Sequence, residues 1–318
     1  MSLFDAIFTG LTQGAMIALV ALGYTMVYGV LKLINFAHSE VFMMSAYIGL
    51  MFIGLFVGAE NGLLPSSFGL HGVLASHPLV AAGVGTVLAM LGASGIGILV
   101  ERVAYRPLRG RGKGPLVRVT PLVTALGVSV LLQNVAQLVF TARFRPYPQL
   151  LSGTLTLPVI GRLSTSRAVI LVTAVVVMVV LELIVKKTWF GKSMRALSSN
   201  EEAARLMGVR TGRVIAMTFA LGSSLAALGA ILYCVDQSQV YPTMGVVIGT
   251  RAFVAAVLGG IGSITGAMLG GLLIGVLGEI VKLTDYSGGV DVLVFVVLIL
   301  VLMVRPAGLL GSTRAEKV

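Results

Sequence analysis

AVILVTAVVVMVVLELIV (168–185), KKTWFGKSMRALSSNEEAARLMGVRTGR (186–213) and VIAMTFALGSSLAALGAILYC (214–234) follow one another without a break. The two outer runs are long and apolar enough to cross a hydrocarbon core, which takes roughly 20 predominantly apolar residues. The middle run is mostly polar, so it must be a loop outside the hydrocarbon. It carries the signals of a short helix. Ser199 and Glu202 make an S-x-x-E capping box, in which the hydroxyl caps an amide and the carboxylate reaches back. Glu201 and Glu202 put negative charge at the positive end of the helix dipole. Asn200, Ala203, Ala204 and Arg205 continue the turn, and Gly208 can end it in a left-handed conformation. About two turns of helix offered to water between spans suit docking of a soluble partner. The plainer alternative is a solvated connector.

The rest of the chain repeats this pattern. Hydrophobic residues make up 57% of it and charged residues 11%, against about 25% charged in an ordinary soluble domain. Mean hydropathy is +1.01. Candidate spans fall at 8–30, 36–57, 79–100, 120–140, 168–185, 214–234 and 290–304, with a Gly-rich region at 252–283. That region fits one tilted helix, two short ones or a re-entrant pair. The expectation is therefore a single transmembrane domain over 1–318, an all-α bundle of eight or nine transmembrane helices, with the loop 186–213 on one side.

Seventeen of the 23 Lys and Arg fall at Lys32, in 101–119, in 186–213 and in 305–318. Basic loops stay cytoplasmic, so the N-terminus is expected outside and the C-terminus inside. The net charge of +11 is then a matter of membrane orientation and not of nucleic acid. The first basic residue is Lys32, so no cleaved signal peptide is expected. The single Cys234 and the scattered His38, His71 and His77 offer no metal site or nucleophile, which argues against an enzyme. No GxxxxGK[ST] loop occurs, so the chain is not itself a P-loop ATPase.

Polar residues at membrane depth are few, costly and often functional. Asn35, His38 and Glu40 cluster at the start of the second span. Gln133, Asn134 and Gln137 sit in the fourth. Both groups fit either interhelical hydrogen bonding or the border of a substrate route. In the Gly-rich region, glycines spaced by four let another backbone approach. Packing alone accounts for such glycines; the functional alternative is that Gly259, Gly260, Gly262 and Ser263 (GGIGS, 259–263) break the helix near mid-membrane, as broken helices do along transporter paths.

Four stretches carry a family resemblance: GYTMVYGVLKLINFAHSEVFMMSAY (23–47), RALSSNEEAARLMGV (195–209), GGIGSITGAMLGG (259–271) and RPAGLLG (305–311). Together they resemble the permeases of branched-chain amino acid ABC importers, the LivH-type subunit more than the LivM-type. The loop 59–78 looks longer than is usual there. The resemblance implies a permease that binds no cofactor of its own while partner subunits use ATP. It implies a second homologous permease or a second copy, two cytoplasmic ATPase subunits, an extracytoplasmic solute-binding protein, and a bacterial plasma membrane. Arg195 to Gly208 would form the ATPase-coupling segment, and transport would proceed by alternating access. A urea or short-amide permease of the same family, or a stand-alone secondary transporter or channel, are the alternatives.

Overall fold

The computed structural model describes residues 3–58, 72–108, 116–149, 153–157, 161–284 and 287–311. Parts of the long loop (59–71) and of the first basic loop (109–115) lie outside these residues. Helices carry the fold: α1 (Leu3–Leu31), α2 (His38–Val57), α3 (Pro78–Val100), α4 (Leu116–Phe140), α5 (Thr165–Lys187), α6 (Trp189–Ser199), α7 (Glu201–Leu206), α8 (Thr211–Gln237), α9 (Met244–Gly259), α10 (Ile264–Lys282) and α11 (Val290–Val304). Among the described residues seven helices are long and apolar enough to span a membrane, and α9 and α11 are shorter apolar helices. The expected all-α polytopic bundle is the one observed. Two short antiparallel ribbons are added on the loops. One pairs β1 (Arg145–Pro146) with β4 (Gln239–Val240), and the other pairs β2 (Thr154–Leu157) with β3 (Gly161–Ser164).

Burial sorts the helices into a centre and a rim. The most apolar window of α1 is 83% buried and that of α4 only 11%. In lipid an exposed Leu costs nothing, so α3, α4 and α5 can present Leu, Val and Ile outward. What draws α1 to the centre is close packing, because lipid tails provide no hydrophobic drive between helices. A Cβ on Gly275 would collide with the Gly14 amide nitrogen, and one on Gly14 would lie 2.7 Å from Leu272 Cα. The backbones of α1 and α10 therefore touch. Gly266 and Gly270 let α10 approach the backbone of Gly259 and Ala255 on α9 just as closely. Of the glycines spaced by four, Gly266, Gly270, Gly271 and Gly275 are helix-packing residues on two faces, and Gly262 lies in the turn.

The Gly-rich region is two helices joined by a turn, and the first starts at Met244, earlier than 252. The break is at 260–263, within GGIGS, but its depth is different. A Cβ on Gly29, near the end of α1, would lie 4.0 Å from Gly262 Cα. A small cavity bordered by Gly262 is shared with Arg195 and Ser198 of α6. GGIGS is thus a hairpin turn at the α6 end of the bundle, not a mid-membrane interruption. Positive φ at Gly260 (102°) and Gly262 (98°) makes the turn, and the Ser263 hydroxyl accepts from the Gly266 amide at 3.1 Å to cap α10.

Candidate functional site

α2 begins deep in the bundle. Its first residue, His38, is buried against the Cα of Gly23, eight residues before the end of α1, and its ring meets Tyr24 edge-on at 4.8 Å. Asn35, in the preceding turn, is also buried and its Oδ1 accepts from the Tyr105 hydroxyl at 3.0 Å. Asn35 is therefore an interhelical clamp holding the 32–37 loop. Glu40 is different. It is 0% exposed, and among the described residues neither carboxylate oxygen has a hydrogen-bond partner. Gly245 and Gly249 of α9 make room for it and for Ser39, since a Cβ on Gly245 would lie 2.8 Å from Glu40 Oε2.

Glu40 lines a cavity of about 230 Å³ between α1, α2, α4 and α9. Tyr24, Phe36, Leu126, Val246 and Phe253 give it apolar walls, and Ser39, Ser129 and Thr250 add hydroxyls. Pockets for drug-sized ligands run to roughly 300–1,000 Å³, so this one suits a smaller solute. Gln133, Asn134 and Gln137 do not line it. The Asn134 amide turns back on its own helix to Val130 O at 2.8 Å. Gln133 and Gln137 are half-buried and follow Ser129 at i+4 and i+8, so they continue its face. That face ends at Phe140, which stacks on Tyr47 with centroids 4.2 Å apart. Sequence reading missed Ser39, Ser129 and Thr250, because hydroxyls on apolar helices are common and usually bond their own backbone.

The polar segment holds two helices where one was expected. α6 starts with Thr188 as its cap, the hydroxyl accepting from the Gly191 amide at 3.3 Å. It folds back onto α5 so tightly that a Cβ on Gly191 would collide with Val185 O. The Arg195 guanidinium donates to Val185 O and, at 3.5 Å, to Lys186 O, closing the last turn of α5. The capping box on Ser199 is not formed. Ser199 is the last residue of α6, and the N-cap of α7 is Asn200, whose Oδ1 accepts from the Ala203 amide at 2.9 Å. Asn200 is extended (φ −158°, ψ 113°), so one residue ends α6 and starts α7. At the other end Gly208 is left-handed (φ 84°). The Val209 amide bonds Ala204 O and the Gly208 amide bonds Arg205 O, the Schellman arrangement. Ala204 faces inward, whereas Glu201, Glu202, Ala203 and Arg205 are exposed. The exposed apolar side chains here are Trp189, Leu206 and Met207, at 74%, 84% and 85%.

The tail residues 305–311 pack on the end of α9. Leu309 and Leu310 amides donate to Leu258 O at 2.9 Å and Gly259 O at 3.0 Å, satisfying carbonyls that the end of α9 would leave open. Gly308 and Gly311 lie against Gly260 with no room for a Cβ.

A multi-pass α-helical membrane protein with a solute-sized cleft between its helices and a structured polar loop at one end belongs to the class of transport permeases. The chain is a member of the family described as branched-chain amino acid transport system / permease component, which matches residues 6–304. It is 39% identical over 323 residues to the high-affinity branched-chain amino acid transport system permease protein LivH of Escherichia coli (strain K12), covering 98% of this chain and 96% of that one. To the permease protein BraD of Pseudomonas aeruginosa it is 39% identical over 319 residues, 97% and 96% of the two chains. The ribose import permease protein RbsC of Bacillus subtilis is similar over a shorter stretch, 33% over 142 residues, 42% of this chain and 44% of that one. No solved structure matches.

Proposed function

We propose that this chain is the permease subunit of an ATP-driven importer of leucine, isoleucine and valine in a bacterial inner membrane. It works with a second homologous permease or a second copy, two cytoplasmic ATPase subunits and an extracytoplasmic solute-binding protein. Similarity to LivH and BraD along nearly the whole chain supports the cargo. The observation that carries the reading is Glu40, a buried carboxylate without a hydrogen-bond partner among the described residues, beside a mostly apolar cavity. Such a group is costly in a low-dielectric interior. A solute with an ammonium group and a branched aliphatic side chain would complement both the carboxylate and the walls. Urea and short amides bring neither a cation nor an apolar body.

The polar segment supports the coupling role. Exposed Trp189, Leu206 and Met207 suit an ATPase groove. α6 is tied to α5 through Arg195 and shares its small cavity with Thr25 and Met26 of α1 and with the GGIGS turn. Closure of an ATPase pair that displaced α6 and α7 would therefore move three helix ends at once, and alternating access would follow from their tilting. The orientation puts 186–213 and the C-terminus in the cytoplasm, in line with the basic loops. Competition uptake by the reconstituted complex tests the cargo. Leucine, isoleucine and valine compete with one another, while urea and acetamide do not. Competition by urea at amino-acid concentrations would favour the amide permease.

A further inference from the structure

Away from the Glu40 cavity, at the α6–α7 end, lies a larger cleft of about 470 Å³ with five arginines around it. Arg102 and Arg106 come from the π-helical and 3-10 turns that extend α3. Arg205 is on α7, and Arg210 and Arg213 flank the start of α8. Among the described residues Glu101 is the one carboxylate in the lining. All five arginines are exposed, and among the described residues none of them forms a salt bridge. Five guanidinium groups facing one cleft repel each other unless an anion joins them, and guanidinium forks match phosphate oxygens.

The surroundings decide which anion. The cleft sits where the apolar runs of α3 and α8 end, which is the level of the lipid phosphates. Leu99 and Val103 lie one turn from Arg102 and Arg106 and are 60% and 68% exposed. Met217, one turn beyond Arg213, is 54% exposed. Apolar side chains on both helices therefore run up to a basic rim. That pattern fits an amphiphile with an anionic head and acyl chains. It fits a soluble anion or an acidic protein surface poorly, because neither uses the apolar stripe. We propose that this cleft binds the phosphate headgroup of an anionic phospholipid, with its acyl chains against the Leu99–Val103 and Met217 surface. Basic clefts between membrane helices on the cytoplasmic side do bind such headgroups.

Native mass spectrometry of the full-length chain, delipidated and then titrated with phosphatidylglycerol or phosphatidylcholine, tests the site. Wild type should retain the anionic lipid at least about tenfold better than the zwitterionic one. Arg102→Gln/Arg106→Gln and Arg210→Gln/Arg213→Gln should each lose that preference. Lys186→Gln/Lys187→Gln, an equal charge change elsewhere in the segment, should keep it. Arg102→Lys/Arg106→Lys, which holds the charge, should recover most of it and shows that the fold is intact. Equal retention in wild type and in the Gln variants would overturn the proposal. So would displacement of the retained phosphatidylglycerol by inorganic phosphate added at the same concentration, which would make the cleft a soluble-anion site. Loss of ATPase co-purification with lipid retention unchanged would assign the arginines to a protein partner instead.

Discussion

Glu40 is a carboxylate held among helices with neither oxygen hydrogen-bonded among the described residues, so its charge and its shape can be tested apart. Glu40→Gln keeps the shape. A charge-assisted hydrogen bond is worth about 1.5–3 kcal/mol, so leucine uptake should fall by on the order of ten- to a hundredfold, while the yield of folded protein stays near wild type. Wild-type uptake in Glu40→Gln would remove the carboxylate from the route. Asn35 should behave in the opposite way. It is bonded to Tyr105, so Asn35→Ala should lower thermal stability more than it lowers uptake per folded molecule. In α7, Asn200→Ala should destabilise the helix by about 0.5–2 kcal/mol, whereas Ser199→Ala should do little. Limited proteolysis of the 200–210 segment reads this directly. Equal protection in both variants would contradict the observed cap. The sequence offers two adjacent capping residues, and only the backbone break after Ser199 selects the second. Nor could it show that Ala204 turns inward while Leu206 and Met207 face out, because six residues are too few for a helical stripe.

At the scale of elements, α10 is the piece the fold can least afford to alter. Gly275 meets the backbone of α1, so Gly275→Leu forces the two helices apart. The expected result is loss of monodisperse protein in detergent. A normal elution profile would mean that the contact with α1 is not needed for folding. The spacing of the glycines by four made this close packing legible, as did the uninterrupted apolar runs of α1, α2, α5 and α8. The start of α9 was not legible. The residues 235–249 read as an outer loop because they hold no Lys or Arg and lie between the span 214–234 and the Gly-rich region. They become helical from Met244 because Gly245 and Gly249 dock on the first turn of α2. The depth of the GGIGS turn escaped for a similar reason. Glycine content marks a break, but only contact with Gly29 and the tail fixes its level.

For the whole molecule, orientation and coupling are linked. The basic loops predict that Ser199→Cys is labelled by a membrane-impermeant thiol reagent only after permeabilisation, and Ala75→Cys from outside. The native Cys234 is buried, so it adds little background. Labelling at position 199 from outside alone would invert the topology. The bundle as a whole could be read from hydropathy, since each span must satisfy its backbone internally and so becomes a helix. The Glu40 cavity could be read only in part. Glu40 itself stood out as a membrane-depth charge, but Ser39, Ser129 and Thr250 reach it through the packing of three helices. The most direct test of the account is leucine uptake into vesicles holding the complete complex, measured with and without ATP and with and without the solute-binding protein. Uptake that needs both is the predicted result. Leucine entering at the same rate without ATP would contradict it and favour a secondary transporter or channel.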